Sequence, residues 1–243
     1  MVGNEDGNGL ERHDPLRQLF LDGGEARTVL RGERLHLAGE PSAYVHLLVK
    51  GWVGRSRSTE AGDAAFTAVH IGGDIVGADG LVNERVDDDL FTLSGGVIRK
   101  LPADVVRDAV ARDPAVAASL LRLLAAETGF LREALFAVGR LSSGERLATF
   151  LLQTFHRLVR AGLLSPDARR FPLPLTQTQL AAVTGVTAVH LNRVLHMLRN
   201  VGCVEVGGGF VRIDDMAALK RETHAGPVGP KARAALNGTA ESR

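Results

Sequence analysis

The sequence predicts an α+β protein in which a β-roll is followed by one long helix and by a smaller domain of short helices and a hairpin. Three observations lead to this prediction. Short β-like segments separated by glycine-rich turns occupy residues 26–99, an apolar repeat with alternating spacings of four and three covers residues 117–141, and two capped helices precede a hairpin in residues 176–213. With 243 residues, of which 45% are hydrophobic, the chain is long enough to bury more than one core.

The first domain is expected to span residues 14–112. Glycines separate its β-like segments, for example at Gly32, Gly51 and Gly73, where a residue without a Cβ can take a positive φ. Strands this short and this closely spaced are typical of a roll or a sandwich. The predicted strands are residues 26–30, 34–37, 44–49, 53–58, 65–71 and 90–98.

A long helix is predicted over residues 113–141, after a short helix that starts at Pro102. Asp113 and Pro114 are suited to the N-cap and to the first helical position. The helix has two adjacent apolar seams, so it must be covered on two sides. The β-roll can cover one side and the same helix of a second subunit the other; the alternative is a monomer whose two domains enclose the helix. The seam assigned to the dimer consists of Leu121, Leu124, Thr128, Leu131, Leu135 and Val138.

The third domain is expected to span residues 142–221. It begins with a capping box at Ser142, and a second capping box at Thr176 opens a short helix. Thr187 is the N-cap candidate of the next helix, after a turn at Gly185 where the chain needs a left-handed residue. A glycine-rich hairpin follows in the position of a wing. This pattern predicts a winged helix-turn-helix, a fold that binds DNA.

The balance of charge differs between the two halves of the chain. Residues 1–140 contain 16 Lys and Arg against 21 Asp and Glu, whereas residues 141–243 contain 13 against 7. A basic C-terminal half suggests a polyanionic partner such as nucleic acid, and ordinary scatter of surface charge is the alternative. The sequence indicates no signal peptide and no membrane-spanning segment, so we expect a cytoplasmic protein. Residues 222–243, rich in Gly and Pro, are expected to be disordered.

The outward residues at the start of the second helix of the pair are expected to enter the major groove. Arginine can bind guanine through O6 and N7, and asparagine can pair with adenine, so Arg193 is the first base-reading candidate. For Arg193 the alternative is a phosphate contact, and for His190 it is partial packing. The base-reading candidates are Arg193, His190, Asn192, Val189 and Ala188, and the phosphate candidates are Gln177, Thr178, Gln179, Thr187, Arg199 and Arg212.

Five short motifs follow one another along the chain. They are LLVKG at residues 47–51, EAG at 60–62, GDIVG at 73–77, GERLA at 144–148 and VHLNR at 189–193. Their types and order resemble the Crp/Fnr family of bacterial transcription regulators, and the resemblance extends over about residues 14–219. The last motif resembles a branch of that family with a VHxNR-type recognition helix.

The resemblance implies a division of labour among the three parts. The β-roll, of the cyclic-nucleotide-binding-like jelly-roll kind, would sense a signal, the long helix would dimerise, and the homodimer would bind a near-palindromic promoter site. Double-stranded DNA and RNA polymerase are the implied partners, with an unknown small molecule as effector. The candidate effector loop comprises Gly73, Asp74, Gly77 and Ala78.

The sequence departs from the family members that bind cyclic AMP. In those proteins a Glu follows the second glycine of the loop and an Arg-Ser pair holds the phosphate, whereas here Ala78 follows Gly77 and three aspartates occupy residues 87–89. Three carboxylates repel a phosphate, so we expect no cyclic AMP binding. The recognition helix departs as well, because Val189 stands where many relatives carry Glu and their cytosine contact is therefore missing.

Two other classes of function stay open. A cupin-like metal-dependent enzyme would need histidines close together, whereas His36, His46 and His70 lie on three strands without a His-x-His motif. A histidine on a strand is more often an ordinary hydrogen-bonded residue than a haem ligand. The one cysteine, Cys203, excludes a disulfide or a cysteine metal cluster and lies in no nucleophile motif, so we expect no enzyme activity, metal or cofactor. The second alternative is an interaction protein that has lost DNA binding, and Arg193 argues against it.

Overall fold

The computed structural model describes residues 14–41, 43–58 and 64–223, and it has the predicted α+β architecture. A β-roll is followed by a 27-residue helix and by a C-terminal helical domain with a small sheet. The EAG motif at 60–62 lies outside the described residues. So does the tail predicted to be disordered, except for its first two residues, 222 and 223.

Two four-stranded antiparallel sheets form the described part of the β-roll. Their strands are β1 (Glu25–Val29), β2 (Arg34–His36), β3 (Tyr44–Lys50), β4 (Trp52–Ser58), β5 (Ala64–Ile71), β6 (Ile75–Val76), β7 (Asp89–Thr92) and β8 (Gly96–Pro102). The strand order is β1-β8-β3-β6 in one sheet and β2-β7-β4-β5 in the other. Leu48 and Ile98 of the first sheet and Val53 and Leu90 of the second belong to one buried apolar cluster.

The single strand predicted over residues 90–98 is wrong, because β7 and β8 lie in different sheets. The chain leaves one sheet where the Leu93 N–H donates to the Trp52 carbonyl at 2.7 Å and the Ser94 hydroxyl accepts from the Trp52 N–H at 3.1 Å. A Cβ on Gly96 would collide with the carbonyl oxygen of Lys50. The crossover therefore needs glycine, which the pattern of apolar residues did not indicate.

The sequence reasoning also missed three short elements. These are α1 (Pro15–Gly23), the two-residue strand β6 and the C-terminal helix α7 (Met216–Arg221). Helix α1 starts where the Asp14 carboxylate accepts a hydrogen bond from the Arg17 N–H at 2.9 Å, and it buries Leu16 and Phe20 in the core below the first sheet. In addition, a 3₁₀-helix (Ala78–Leu81) forms part of the candidate effector loop.

The long helix begins where the sequence predicts. Helix α2 (Ala103–Arg112) is followed by α3 (Pro114–Arg140), and the Asp113 carboxylate accepts from the Ala115 N–H at 2.8 Å. Val116 is buried against the neighbouring helices. Further along the helix, the seam assigned to the dimer is uncovered: Leu121 is 67% exposed and Leu135 is 75% exposed. Neither domain of the same chain encloses this seam.

Helix α3 is also long and apolar enough to cross a membrane by length and composition, which the sequence analysis did not expect. Arg122, Glu127, Arg132 and Glu133 interrupt its apolar surface. One helix of this kind is weak evidence for a membrane span. Its exposed leucines follow the spacing of a coiled coil, a pattern that favours pairing with a second helix.

The third domain has the predicted helix-turn-helix and wing. It contains α4 (Ser143–Arg160), β9 (Arg170–Pro172), α5 (Gln177–Val183), α6 (Ala188–Asn200), β10 (Val204–Gly207), β11 (Phe210–Ile213) and α7. The strands form a sheet in the order β10-β11-β9. Strand β9 lies between α4 and α5 and pairs with β11.

The β-roll and the third domain are docked on each other. Trp52 and Val69 of the roll belong to the same buried apolar cluster as Leu151 and Phe155 of α4. Helix α5 lies against strand β5. The sequence patterns did not predict this interdomain core, which fixes how the helix-turn-helix is presented.

Candidate nucleic-acid interface

Side-chain caps order the starts of both helices of the helix-turn-helix, and the cap of α5 is reciprocal. The Thr176 hydroxyl accepts from the Gln179 N–H at 3.2 Å, and the Gln179 side-chain oxygen accepts from the Thr176 N–H at 2.9 Å. Between the helices Gly185 has φ of +66°, a left-handed conformation that favours glycine. Helix α6 then starts at Thr187, whose hydroxyl accepts from the His190 N–H at 3.2 Å. The predicted turn and caps are therefore confirmed.

Helix α6 has one buried face and one exposed face. Leu191, Val194 and Leu198 are buried against the rest of the domain. The five base-reading candidates are all exposed and lie on the first two turns: Ala188, Val189, His190, Asn192 and Arg193. The structure thus brings these side chains together on a surface that a DNA duplex can approach.

The phosphate candidates fall into three groups. Gln177 and Thr178 are exposed at the start of α5, where the first backbone N–H groups of a helix attract anions. Gln179 and Thr187 use side-chain oxygens as caps and thereby order the helix starts. The remaining two, Arg199 and Arg212, are not free: both form ion pairs with Glu205 of β10.

A cleft between α6 and the wing includes a residue that the sequence reasoning missed. His196 lines this cleft together with Gln177, Asn192, Arg199 and Val206, among others. The signal was available, because His196 comes four residues after Asn192 and three after Arg193 and therefore shares their helix face.

The candidate effector loop lies beside a network of ion pairs. Gly77 has φ of +82° and its Cα faces the ring of His36, so a larger residue would not fit. On the neighbouring strand β4, Arg55 lies 3.5 Å from the Asp79 carboxylate and 3.3 Å from the Asp88 carboxylate. Two carboxylates thus share one guanidinium beside the candidate effector loop.

Helix α3 contributes a carboxylate to this network. Glu127 is half-buried, and burial raises the pKa of its carboxyl above the ordinary value; Asp79 and Asp74 raise it further, whereas Arg55 lowers it. Asp74 of the loop faces His70 at 3.8 Å and accepts a hydrogen bond from Arg157 of α4. The loop is therefore hydrogen-bonded to the third domain, and its carboxylates act electrostatically on Glu127 of the long helix.

The three strand histidines are buried and neutral. The rings of His36 and His46 lie 5.0 Å apart, so these two are neighbours and not scattered as the sequence suggested. Burial lowers the pKa of His46 to about 3 and that of His70 to about 4, and it lowers the pKa of His36 as well. Among the described residues, no three His, Cys, Asp or Glu side chains meet in a way that could hold a metal ion. Cys203 is buried, and burial raises the pKa of its thiol.

Comparisons with known proteins agree with this geometry. A family model described as a Crp-like helix-turn-helix domain matches residues 145–222, and a cyclic nucleotide-binding domain model matches residues 26–113. The chain is 25% identical over 193 residues to the anaerobic regulatory protein of Pasteurella multocida, covering 79% of this chain and 70% of that one. The chain belongs to the Crp/Fnr family of transcription regulators. Another member is the fumarate and nitrate reduction regulatory protein of Yersinia pestis, 25% identical over 79% of this chain and 76% of its own.

Solved structures share the Crp/Fnr fold. FixK2 from Bradyrhizobium japonicum superposes with a TM-score of 0.75 at 22% identity, covering 84% of this chain and 99% of that one. A CRP-family regulator from Thermus thermophilus gives a TM-score of 0.66 at 19% identity, covering 82% and 97%. These relatives are transcription regulators and not enzymes, and no comparison supports the cupin or interaction-protein alternatives.

Proposed function

We propose that this Crp/Fnr regulator acts as a homodimer on a near-palindromic promoter site whose half-sites lie one helical turn apart. The observation that carries the proposal is the exposed first half of α6, where Arg193, Asn192 and His190 face solvent while the opposite side of the helix is anchored in the core. In this proposal residues 14–112 are the sensor domain, 113–141 the dimerisation helix and 142–221 the DNA-binding domain.

The residue roles follow from chemistry and position. Arg193 would read a guanine, with Asn192 and His190 beside it and with Ala188 and Val189 in apolar contact with the groove. The VHLNR segment at residues 189–193 supports placing the chain in the VHxNR branch. Phosphates would be bound at the helix starts and by guanidinium groups, through Gln177, Thr178, Gln179, Thr187, Arg199 and Arg212.

The long helix supplies the dimer contact in this proposal. All six residues of its seam are exposed in the single chain: Leu121, Leu124, Thr128, Leu131, Leu135 and Val138. Burying such a seam against a symmetry-related copy removes it from water, which is the main source of association free energy. A cytoplasmic location and a contact with RNA polymerase belong to the same proposal.

The effector of the β-roll is proposed to be a small molecule other than cyclic AMP, bound near Gly73, Asp74, Gly77 and Ala78. The support is the ion network: Arg55 already pairs with Asp79 and Asp88, and Glu127 adds a further carboxylate beside them. A cyclic phosphate brought into this region would meet repulsion. Accordingly, cyclic AMP in millimolar excess should leave the melting temperature unchanged. A ligand that binds the folded protein, added at a concentration far above its Kd, would raise it.

The proposal is tested by selecting bound sequences from a random duplex pool with the full chain. A symmetric motif is expected, and binding to it should weaken about 10- to 100-fold for Arg193→Ala, the cost of losing one bidentate base contact. Arg160→Ala, an exposed arginine on α4, is the control and should retain affinity. Enrichment of no sequence with or without candidate ligands, or an Arg193→Ala variant that selects the same motif with the same affinity, would overturn the proposal.

A further inference from the structure

Glu205 lies at the base of the wing, between two of the arginines proposed to contact phosphate. Its Oε1 is 3.2 Å from Nη2 of Arg199 at the end of α6, and its Oε2 is 2.8 Å from Nη2 of Arg212 on β11. Glu205 and Arg212 are also direct partners in the β10–β11 ladder. The strand register therefore fixes this carboxylate beside the guanidinium groups.

The cluster as a whole presents no surplus of positive charge. Arg212 also donates from Nε to the Asp214 carboxylate at 2.8 Å, so two arginines face two carboxylates. The wing tip consists of three glycines, residues 207–209, and adds no cation of its own. In the free protein, the guanidinium groups of Arg199 and Arg212 are thus already paired with carboxylates of the same chain.

The same cluster borders the surface proposed to bind DNA. Arg199 lines the cleft between α6 and the wing together with Asn192, His196 and Gln177. Val206, the neighbour of Glu205, lines it as well. Glu205 and its two arginine partners are partly open to solvent, with 52% of Arg199, 58% of Arg212 and 36% of Glu205 exposed, so an incoming phosphate can compete for the arginines.

We propose that Glu205 is an intramolecular competitor of DNA phosphate and lowers the affinity of the regulator for any duplex, whatever its sequence. It holds Arg199 and Arg212 in the free protein. When a phosphate takes over one of them, the released carboxylate stays at the protein surface close to the DNA and repels it. This inference rests on the proposed DNA-binding function and adds to it a residue that limits non-specific binding.

The test measures binding of the full chain to a random-sequence duplex as salt is raised from about 50 to 200 mM. Glu205→Gln keeps the shape of the side chain and removes its charge. We expect about fivefold tighter binding, and a plot of log affinity against log salt that is steeper by about 0.9 for each phosphate contact recovered. Unfolding curves of the variant confirm that the wing is intact.

Two controls separate this role from a general effect of charge. Asp167→Asn removes one negative charge from an exposed loop of the same domain and sets the background. In a variant that carries Arg199→Gln and Arg212→Gln, adding Glu205→Gln should raise the affinity for DNA by no more than this control does. The inference is wrong if Glu205→Gln binds DNA as the wild type does or more weakly, or if it gains as much affinity in the double-arginine variant as in the wild type. In either case, salt-dependent binding by the wild type would still support the proposed function. If the wild type shows no salt-dependent binding to DNA, the proposed function itself is wrong.

Discussion

Arg157 of α4 donates a hydrogen bond to the carboxylate of Asp74 in the candidate effector loop, with 2.6 Å between Nη2 and Oδ2. Its Nη1 donates to the carbonyl of Val69 at 2.9 Å, and its guanidinium lies over the ring of Phe130 of α3 at 5.0 Å from the centroid. One side chain therefore joins the DNA-binding domain, the β-roll and the long helix. A change in the loop has a direct mechanical route to the DNA-binding domain.

Replacement of Arg157 should destabilise the docked chain. Arg157→Ala leaves the partly buried Asp74 carboxylate without its guanidinium, so we expect the free energy of unfolding to fall by about 2–3 kcal/mol. Urea denaturation measures the loss. Arg160→Ala, on an exposed position of the same helix, should change it by less than about 0.5 kcal/mol. Equal effects of both variants would show that the Arg157 contacts do not hold the two domains together.

The turn of the helix-turn-helix should reject any side chain. Gly185 has φ of +66°, so Gly185→Ala is expected to cost about 1–2 kcal/mol of stability. The matched substitution is Gly129→Ala in α3, which lies outside both apolar seams and has open space around it. Removing a glycine from the middle of a helix should stabilise the chain by about 0.5–1 kcal/mol. Thermal melts of both variants test the contrast, and two shifts of the same sign would contradict it.

The sequence predicted the structure where the backbone conformation is determined by residues close together in the chain. Capping at Asp113, Ser142, Thr176 and Thr187 and the left-handed residue Gly185 are set by neighbours three or four positions away, so the helix starts of the DNA-binding domain could be predicted. The exposed face of α6 followed from the same helical spacing.

Features that depend on distant parts of the chain could not be predicted in this way. The crossover needs glycine at residue 96 because the carbonyl oxygen of Lys50, on another strand, lies against it. The contact of Arg157 with Asp74 spans 83 positions in the sequence, and the pairing of Arg212 with Glu205 depends on the register of the wing. No periodic pattern carries such information, so the engagement of Arg199 and Arg212 became visible only in the structure.

The exposed seam of α3 predicts how the dimer can be dissociated. Leu135 is 75% exposed in the single chain, so Leu135→Glu should leave each subunit folded. In a symmetric dimer the two new carboxylates would both enter the apolar seam, and we expect the Kd to rise at least about 100-fold. Sedimentation equilibrium measures this change. Arg132→Ala, outside both seams, is the control, and a Leu135→Glu variant that dimerises like the wild type would place the dimer contact elsewhere.

The buried histidines make stability dependent on pH. Burial lowers the pKa of His46 to about 3 and of His70 to about 4, from about 6.5 in the unfolded chain. Because the folded pKa values are the lower ones, the unfolded chain binds more protons below about pH 6.5, and stability falls as the pH drops through that range. No change from these groups is expected above it.

The expected loss between about pH 6.5 and pH 5.0 is on the order of 3 kcal/mol for the two histidines together. Urea unfolding at a series of pH values measures it. His46→Gln removes one titrating group and should reduce the loss by about half. A pH dependence that is the same in His46→Gln as in the wild type would mean that His46 is protonated as readily in the folded chain as in the unfolded one.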